Sequence, residues 1–134
     1  MKDSIFLDTN IVIYTYSSNE PEKKNKAIEI VKQTKPFIST QVIKELANVL
    51  FKKFKIPWND IDATIDELDY YFSIHINDAN SIKKACLIAD KYKFSFYDSL
   101  IIAAALESGC STLYSEDMQH GQIIEKTLTI KNPF

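Results

Sequence analysis

The sequence predicts an α/β fold in which a short, mainly parallel sheet is covered by helices on both faces. Short apolar runs that are typical of buried strands alternate with longer segments whose apolar residues recur at helical spacing. The proportions of hydrophobic residues (46%) and charged residues (25%) are those of a folded globular protein. With 134 residues and no recognisable linker or repeat, we expect a single domain over residues 1–134.

Four segments have the features of buried strands, because they are short, rich in apolar residues and followed by polar or turn-forming residues. The first ends in an aspartate, Asp8, although the run around it is otherwise apolar. The predicted strands are 4–8, 36–40, 111–115 and 127–130.

Five segments have the periodicity of helices. Pro21 stands at the start of the first, where its missing N–H costs little. Pro57 breaks the chain before the third, for which Asn59 is the predicted N-terminal cap. The last is apolar on nearly all sides, which predicts a central buried helix that ends at Gly109. The predicted helices are 21–34, 40–54, 59–72, 81–93 and 97–108.

The apolar face of the helix over 81–93 is expected to consist of Ile82, Ala85, Cys86 and Ala89, which share one side at helical spacing. Both cysteines, Cys86 and Cys110, are expected to be reduced thiols. No apolar run is long enough for a membrane span and the N-terminus has no signal-peptide pattern, so we expect a cytoplasmic protein.

The composition excludes several kinds of site. The chain contains only two glycines, too few for a P-loop or a glycine-rich dinucleotide turn. Its sixteen basic residues are all lysines, so no arginine can contact a phosphate with two parallel hydrogen bonds. The formal net charge of −2 gives no overall attraction to nucleic acid. No cysteine and histidine pattern has the spacing of a zinc site.

Four carboxylates are predicted to meet at one edge of the sheet, because ligands of open α/β sheets bind beyond the carboxyl ends of the strands. Asp8 ends the first strand, and Asp117 follows the strand over 111–115. Glu45 lies in the second turn of the helix after the second strand, at the border of its buried face. Asp98 lies in the first turn of the apolar helix.

Four neighbouring negative charges repel one another, so their convergence requires cations or raised pKa values. Oxygen ligands of this kind suit Mg²⁺ or Mn²⁺. Each acid also has an ordinary structural explanation that the sequence leaves open. Asp8 and Asp98 are suited to helix N-termini, Glu45 to pairing with a nearby lysine, and Asp117 to a turn.

Several segments together resemble the PIN-domain family, in particular the VapC-type toxins of prokaryotic toxin–antitoxin pairs. These segments are FLDTN, STQVIKELANVL, FYDSLIIAAALESGCSTLYSEDMQHG and TIKNPF, in that order along nearly the whole chain. The resemblance implies a three-layer α/β/α sandwich and a metal-dependent endoribonuclease using Mg²⁺ or Mn²⁺. By motif position, the residues that match the family's acidic quartet are Asp8, Glu45, Asp98 and Asp117.

The resemblance also implies supporting residues, which hold the acids or touch the scissile phosphate: Thr9, Asn10, Ser39 and Ser115. Glu116 is adjacent to Asp117 and is an alternative fourth acid, although the family's Thr/Ser-x-Asp spacing favours Asp117. In the implied mechanism, a metal-activated water attacks the phosphodiester and leaves a 5′-phosphate and a 3′-hydroxyl.

The implied partners are an RNA substrate, a cognate antitoxin protein and a second copy of the chain in a homodimer. Two alternatives remain open at this point: a housekeeping PIN nuclease in RNA processing, and a catalytically silent domain that binds RNA or protein. A small upstream gene for a DNA-binding antitoxin would favour the toxin, whereas the intact acidic quartet argues against a silent domain.

Overall fold

The computed structural model describes residues 4–134, and a six-stranded sheet runs through this part of the chain. The strand order is β3-β2-β1-β4-β6-β5. Neighbouring strands are parallel, except that β5 runs antiparallel to β6. The mainly parallel sheet predicted from the sequence is therefore confirmed. The strands are β1 (Ile5–Leu7), β2 (Phe37–Ser39), β3 (Ser73–His75), β4 (Thr112–Tyr114), β5 (Ile123–Ile124) and β6 (Leu128–Lys131).

Six helices connect these strands within the described residues, and they pack as two groups. Helix α1 packs on α2 and α3, and α3 packs on α4, whereas α5 packs mainly on α6. The chain moves outward from β1 to β3 through the first group and returns to β4 through the second. Right-handed crossovers therefore place the two groups on opposite faces of the sheet. The helices are α1 (Thr9–Tyr14), α2 (Pro21–Thr34), α3 (Thr40–Lys52), α4 (Trp58–Tyr71), α5 (Ala79–Tyr92) and α6 (Phe96–Glu107).

The core lies on both sides of the central strands. Phe6, Ile38 and Leu113 on the three central strands are fully buried. Helix α6 is buried along most of its length, as its apolar sequence predicts. It ends as expected, because Gly109 adopts the left-handed conformation (φ 72°) that favours glycine after a helix.

Some local details differ from the prediction. The edge strands β3 and β5 were not predicted, and the short helix α1 begins at Thr9, directly after the first strand. Helix α4 begins at Trp58 with Pro57 as its cap residue, so Asn59 is not the cap.

The predicted face of α5 was also wrong, because Ile82 and Cys86 are exposed. The buried side is formed by Ser81, Ala85 and Ile88, and Ala85 packs against α6. The buried face thus lies to one side of the face predicted from the spacing of the apolar residues. In residues 4–134, no helix has both the length and the apolar character that crossing a bilayer requires.

Candidate active site at the carboxyl edge of the sheet

A cavity of about 220 Å³ opens beyond the carboxyl ends of β1 and β4. Strand β1 lies between β2 and β4. The chain continues from β1 to β2 on one side, whereas β4, on the other side, is reached only later from β3, so the strand order reverses at this point. Ligands of open parallel sheets bind at such a crevice. All four predicted acids line this cavity, each from a different segment: Asp8, Glu45, Asp98 and Asp117.

Asp8 is the most deeply placed of these acids, with only 8% of its surface exposed. Its Oδ1 accepts a hydrogen bond from the backbone N–H of Thr9 (2.7 Å), which caps α1. Its Oδ2 accepts one from the hydroxyl of Ser115 (2.8 Å). The pKa of Asp8 is raised to about 6, mainly by burial and to a smaller extent by the charges of Asp98 and Glu45, while the two hydrogen bonds act in the opposite direction.

Ser115 joins two of the acids. Besides donating to Asp8, its Oγ accepts hydrogen bonds from the backbone N–H groups of Asp117 (3.2 Å) and Met118 (3.3 Å). The loop after β4 is thereby fixed against the end of β1. On the other side, the Asn10 side-chain amide donates to Oδ2 of Asp117 (2.8 Å).

Glu45 and Asp98 are held from α3 and α6. The side-chain amide of Gln41, one turn before Glu45, donates to Oε1 of Glu45 (2.8 Å) and to the backbone carbonyl of Tyr97 (3.2 Å). Ser95 caps α6 by accepting the N–H of Asp98 (3.2 Å). Asp98 therefore lies in the first turn of α6, where the helix dipole favours a negative charge.

Glu116 has different neighbours from Asp117. Its carboxylate forms an ion pair with Lys23 and accepts a hydrogen bond from the Tyr14 hydroxyl. The hydrogen bond from Lys23, followed by that from Tyr14, holds the pKa of Glu116 below its ordinary value. Glu116 is absent from the lining of the acidic cavity, whereas Asp117 is part of it.

The remaining supporting residues take two kinds of position. Thr9 and Asn10 line the cavity, and the buried Thr9 hydroxyl has no hydrogen-bond partner. Ser39 is fully buried and caps α3 by accepting the N–H of Val42. Ser39 is thus connected to the site through the helix that carries Glu45.

Besides the apolar residues Ile13, Val49 and Ile101, the cavity wall contains two polar residues that were not predicted from the sequence, Gln41 and Tyr97. The position of Gln41, four residues before Glu45, was the available signal, because side chains at that spacing are neighbours on a helix. Tyr97 precedes Asp98 directly and is 67% exposed.

The donor set of this cavity fits a hard divalent cation. Its charged groups are carboxylates, with the Thr9 hydroxyl beside them, and such oxygen ligands suit Mg²⁺ or Mn²⁺. Burial raises the pKa of Asp8, the charges of Asp98 and Glu45 add to this effect, and a cation would offset both. Within residues 4–134, no three acidic, histidine or cysteine side chains are already drawn together as a ligand group. The carboxylates surround the cavity without converging on one point.

The family model of the PIN domain matches residues 5–125, which span every strand and helix described above except β6. The chain belongs to the PIN domain family. A comparison of this PIN domain with curated protein sequences gave no significant match.

Solved structures share the fold of this PIN domain at low sequence identity. A toxin–antitoxin complex from Klebsiella pneumoniae is 19% identical, with 98% of each chain covered and a TM-score of 0.74. VapBC2 from Rickettsia felis, bound to a promoter DNA fragment, is 20% identical over 96% of this chain and 97% of that chain (TM-score 0.69). VapC20 from Mycobacterium tuberculosis, a toxin that cleaves the sarcin-ricin loop, is 18% identical over 85% and 90% (TM-score 0.68).

Proposed function

We propose that this PIN domain is a metal-dependent endoribonuclease and the toxin of a toxin–antitoxin pair. The observation that carries the proposal is the cavity at the carboxyl edge of the sheet, where carboxylates from four separate segments face one another. Neighbouring carboxylates repel one another without a cation, and the charges of Asp98 and Glu45 add to the burial that raises the pKa of Asp8.

Asp8, Asp98 and Asp117 would hold one Mg²⁺ or Mn²⁺, and Glu45 would complete the ligand set or assist a second ion. When bound, the cation supplies positive charge that activates a water molecule and neutralises the substrate phosphate. Hydrolysis forms a bond between the water oxygen and phosphorus and breaks the bond to the ribose 3′ oxygen, which takes up a proton. The products are a 5′-phosphate and a 3′-hydroxyl.

The protein's own residues fix the positions of the acids before substrate binds. Ser115 and the Thr9 N–H leave Asp8 little freedom to rotate, and Asn10 orients Asp117. Gln41 connects Glu45 to the backbone beside Asp98, which lies on a different helix. Preorganisation of this kind reduces the reorganisation that the reaction would otherwise require.

The toxin role is supported by the structures that share the fold, since the three described above include two antitoxin-associated complexes and one RNA-cleaving toxin. The partners in this proposal are an RNA substrate and a cognate antitoxin, and a homodimer stays a prediction. Growth arrest on expression, relieved by co-expression of a small neighbouring gene, would distinguish the toxin from a housekeeping nuclease.

The nuclease is tested by incubating total RNA with the purified protein in Mg²⁺ or Mn²⁺. We expect discrete products with 5′-phosphate ends, and we expect them to disappear in EDTA and with the Asp98→Asn variant. Isothermal titration of both ions into the protein measures the cation site separately. Intact RNA in both ions, together with no ion binding, would contradict the proposal.

The two neighbouring acids Glu116 and Asp117 are expected to differ in effect. Asp117→Asn should reduce cleavage by about 10²-fold or more, because it removes a charge from the proposed ligand set. Glu116→Gln should reduce it by less than roughly 10-fold, the low end for residues that only support a metal site. Initial cleavage rates of the two variants, with circular dichroism as a control for folding, decide the assignment. Equal losses would contradict it.

A further inference from the structure

A second cavity, of about 340 Å³, adjoins the acidic cavity and is lined by Gln41, Lys44, Glu45 and Tyr97. Three of these residues, Gln41, Glu45 and Tyr97, also line the acidic cavity. The two spaces therefore adjoin at these three residues. The second cavity has no role in the hydrolysis proposed above.

Tyr97 is the prominent feature of the shared wall. Tyr97 is 67% exposed, although α6, the helix to which it belongs, is buried along most of its length. Phe96 supports it in an edge arrangement, with ring centroids 5.3 Å apart and an interplanar angle of 74°. The backbone of Tyr97 is fixed by the hydrogen bond from Gln41 to its carbonyl. The ring is thus held beside the acidic cavity with most of its surface free.

We propose that Tyr97 is a stacking platform for the nucleobase next to the scissile phosphate, with the lysine of the second cavity contacting the adjacent phosphate. This inference rests on the proposed nuclease function and specifies its substrate as an unpaired nucleotide in single-stranded or looped nucleic acid. Exposed aromatic rings stack on bases, and lysines contact the phosphate backbone. Within a duplex both faces of each internal base are covered by its neighbours, so a surface ring cannot stack on it.

A nucleobase suits this space better than a segment of a partner protein. The wall offers one aromatic ring and one cation, Lys44, beside the carboxylate of Glu45. A partner helix would need a row of apolar anchors at helical spacing. The second cavity also shares Gln41, Glu45 and Tyr97 with the acidic cavity, where the phosphate must lie for hydrolysis.

Binding of a labelled single-stranded RNA of randomised sequence, roughly ten nucleotides long, tests the platform in Mg²⁺. The Asp98→Asn background prevents cleavage during the measurement. We expect Tyr97→Ala to weaken binding by about 5- to 100-fold, the usual range for loss of one stacked base, and Tyr97→Phe to retain it. The matched control is Tyr70→Ala, which removes an exposed tyrosine (77%) on α4, away from both cavities, and should leave binding unchanged.

A fully paired RNA duplex of the same length provides the second arm, because Tyr97→Ala should not alter its binding. In otherwise wild-type protein, the same substitution should raise KM for single-stranded RNA more than it lowers kcat.

If the wild type cleaves RNA and Tyr97→Ala binds and cleaves equally well, the platform is wrong and the nuclease stands. If the wild type binds single strands through Tyr97 but does not cleave RNA, the platform stands and the nuclease is wrong. Loss of antitoxin binding with unchanged RNA binding would assign the surface to a protein partner and overturn the platform.

Discussion

Asp8→Asn is expected to abolish RNA cleavage and, at the same time, to stabilise the metal-free protein. Cleavage should fall by on the order of 10³-fold, since the substitution removes the most deeply placed acid of the site. The free energy of unfolding at pH 7.5 should rise by about 1 to 3 kcal/mol, because ionisation of this buried carboxyl is unfavourable in the fold. Asparagine retains an oxygen that can accept the hydrogen bond from Ser115 or the Thr9 N–H.

The sign of the pH dependence follows from the direction of the shift in the pKa of Asp8. The ordinary pKa is 3.8 and the pKa in the folded protein is about 6, so the folded state holds the proton more tightly than the unfolded state. The contribution of Asp8 to stability should therefore fall as the pH rises from about 4 to 6, and the difference in stability between Asp8→Asn and the wild type should grow over this range. Urea denaturation in EDTA at pH 5 and pH 7.5 measures both proteins.

The same two proteins in Mg²⁺ provide a control. Mg²⁺ should raise the free energy of unfolding of the wild type by an amount that depends on the ion concentration relative to its dissociation constant. The free energy of unfolding of Asp8→Asn should rise little on addition of Mg²⁺. A variant that is less stable than the wild type at pH 7.5 in EDTA would contradict the expected cost of burying this charge.

The layered architecture could be predicted because the hydrophobic pattern of the chain is unambiguous in its longest elements. Helix α2 spans the predicted residues 21–34, and α6 lies within one residue of its predicted bounds at both ends. Strand β3 could not be predicted, because Ser73–His75 contains one apolar residue and none of its residues is fully buried. Such an edge strand is defined by its partner β2, which is distant in sequence.

The sequence located the acids by their order along the strands, but it could not specify what holds them. The link from Gln41 to Tyr97 joins residues 56 positions apart, and the link from Ser115 to Asp8 joins residues 107 positions apart. No local pattern contains such contacts. The choice between Glu116 and Asp117 likewise depends on Lys23 and Tyr14, which come close to Glu116 only in the fold.

Ser115→Ala tests whether this network positions the acids, and Ser99→Ala is its matched control. Both serines are fully buried, but the Ser99 hydroxyl has no hydrogen-bond partner and the Ser115 hydroxyl has three. Ser99→Ala removes an unsatisfied polar group, so it should leave stability unchanged or increase it.

Ser115→Ala should lower the free energy of unfolding by about 1 to 3 kcal/mol, since backbone N–H groups of Asp117 and Met118 lose their acceptor. Cleavage should fall by roughly 10- to 100-fold, the usual cost of losing a residue that orients a metal ligand. Urea denaturation and initial cleavage rates, with the affinity for Mn²⁺ measured by titration, separate the two effects. If Ser115→Ala and Ser99→Ala behave alike in all three measurements, Asp8 and Asp117 are positioned by the backbone alone. A loss of Mn²⁺ affinity confined to Ser115→Ala would instead show that one hydroxyl couples the end of β1 to the loop after β4.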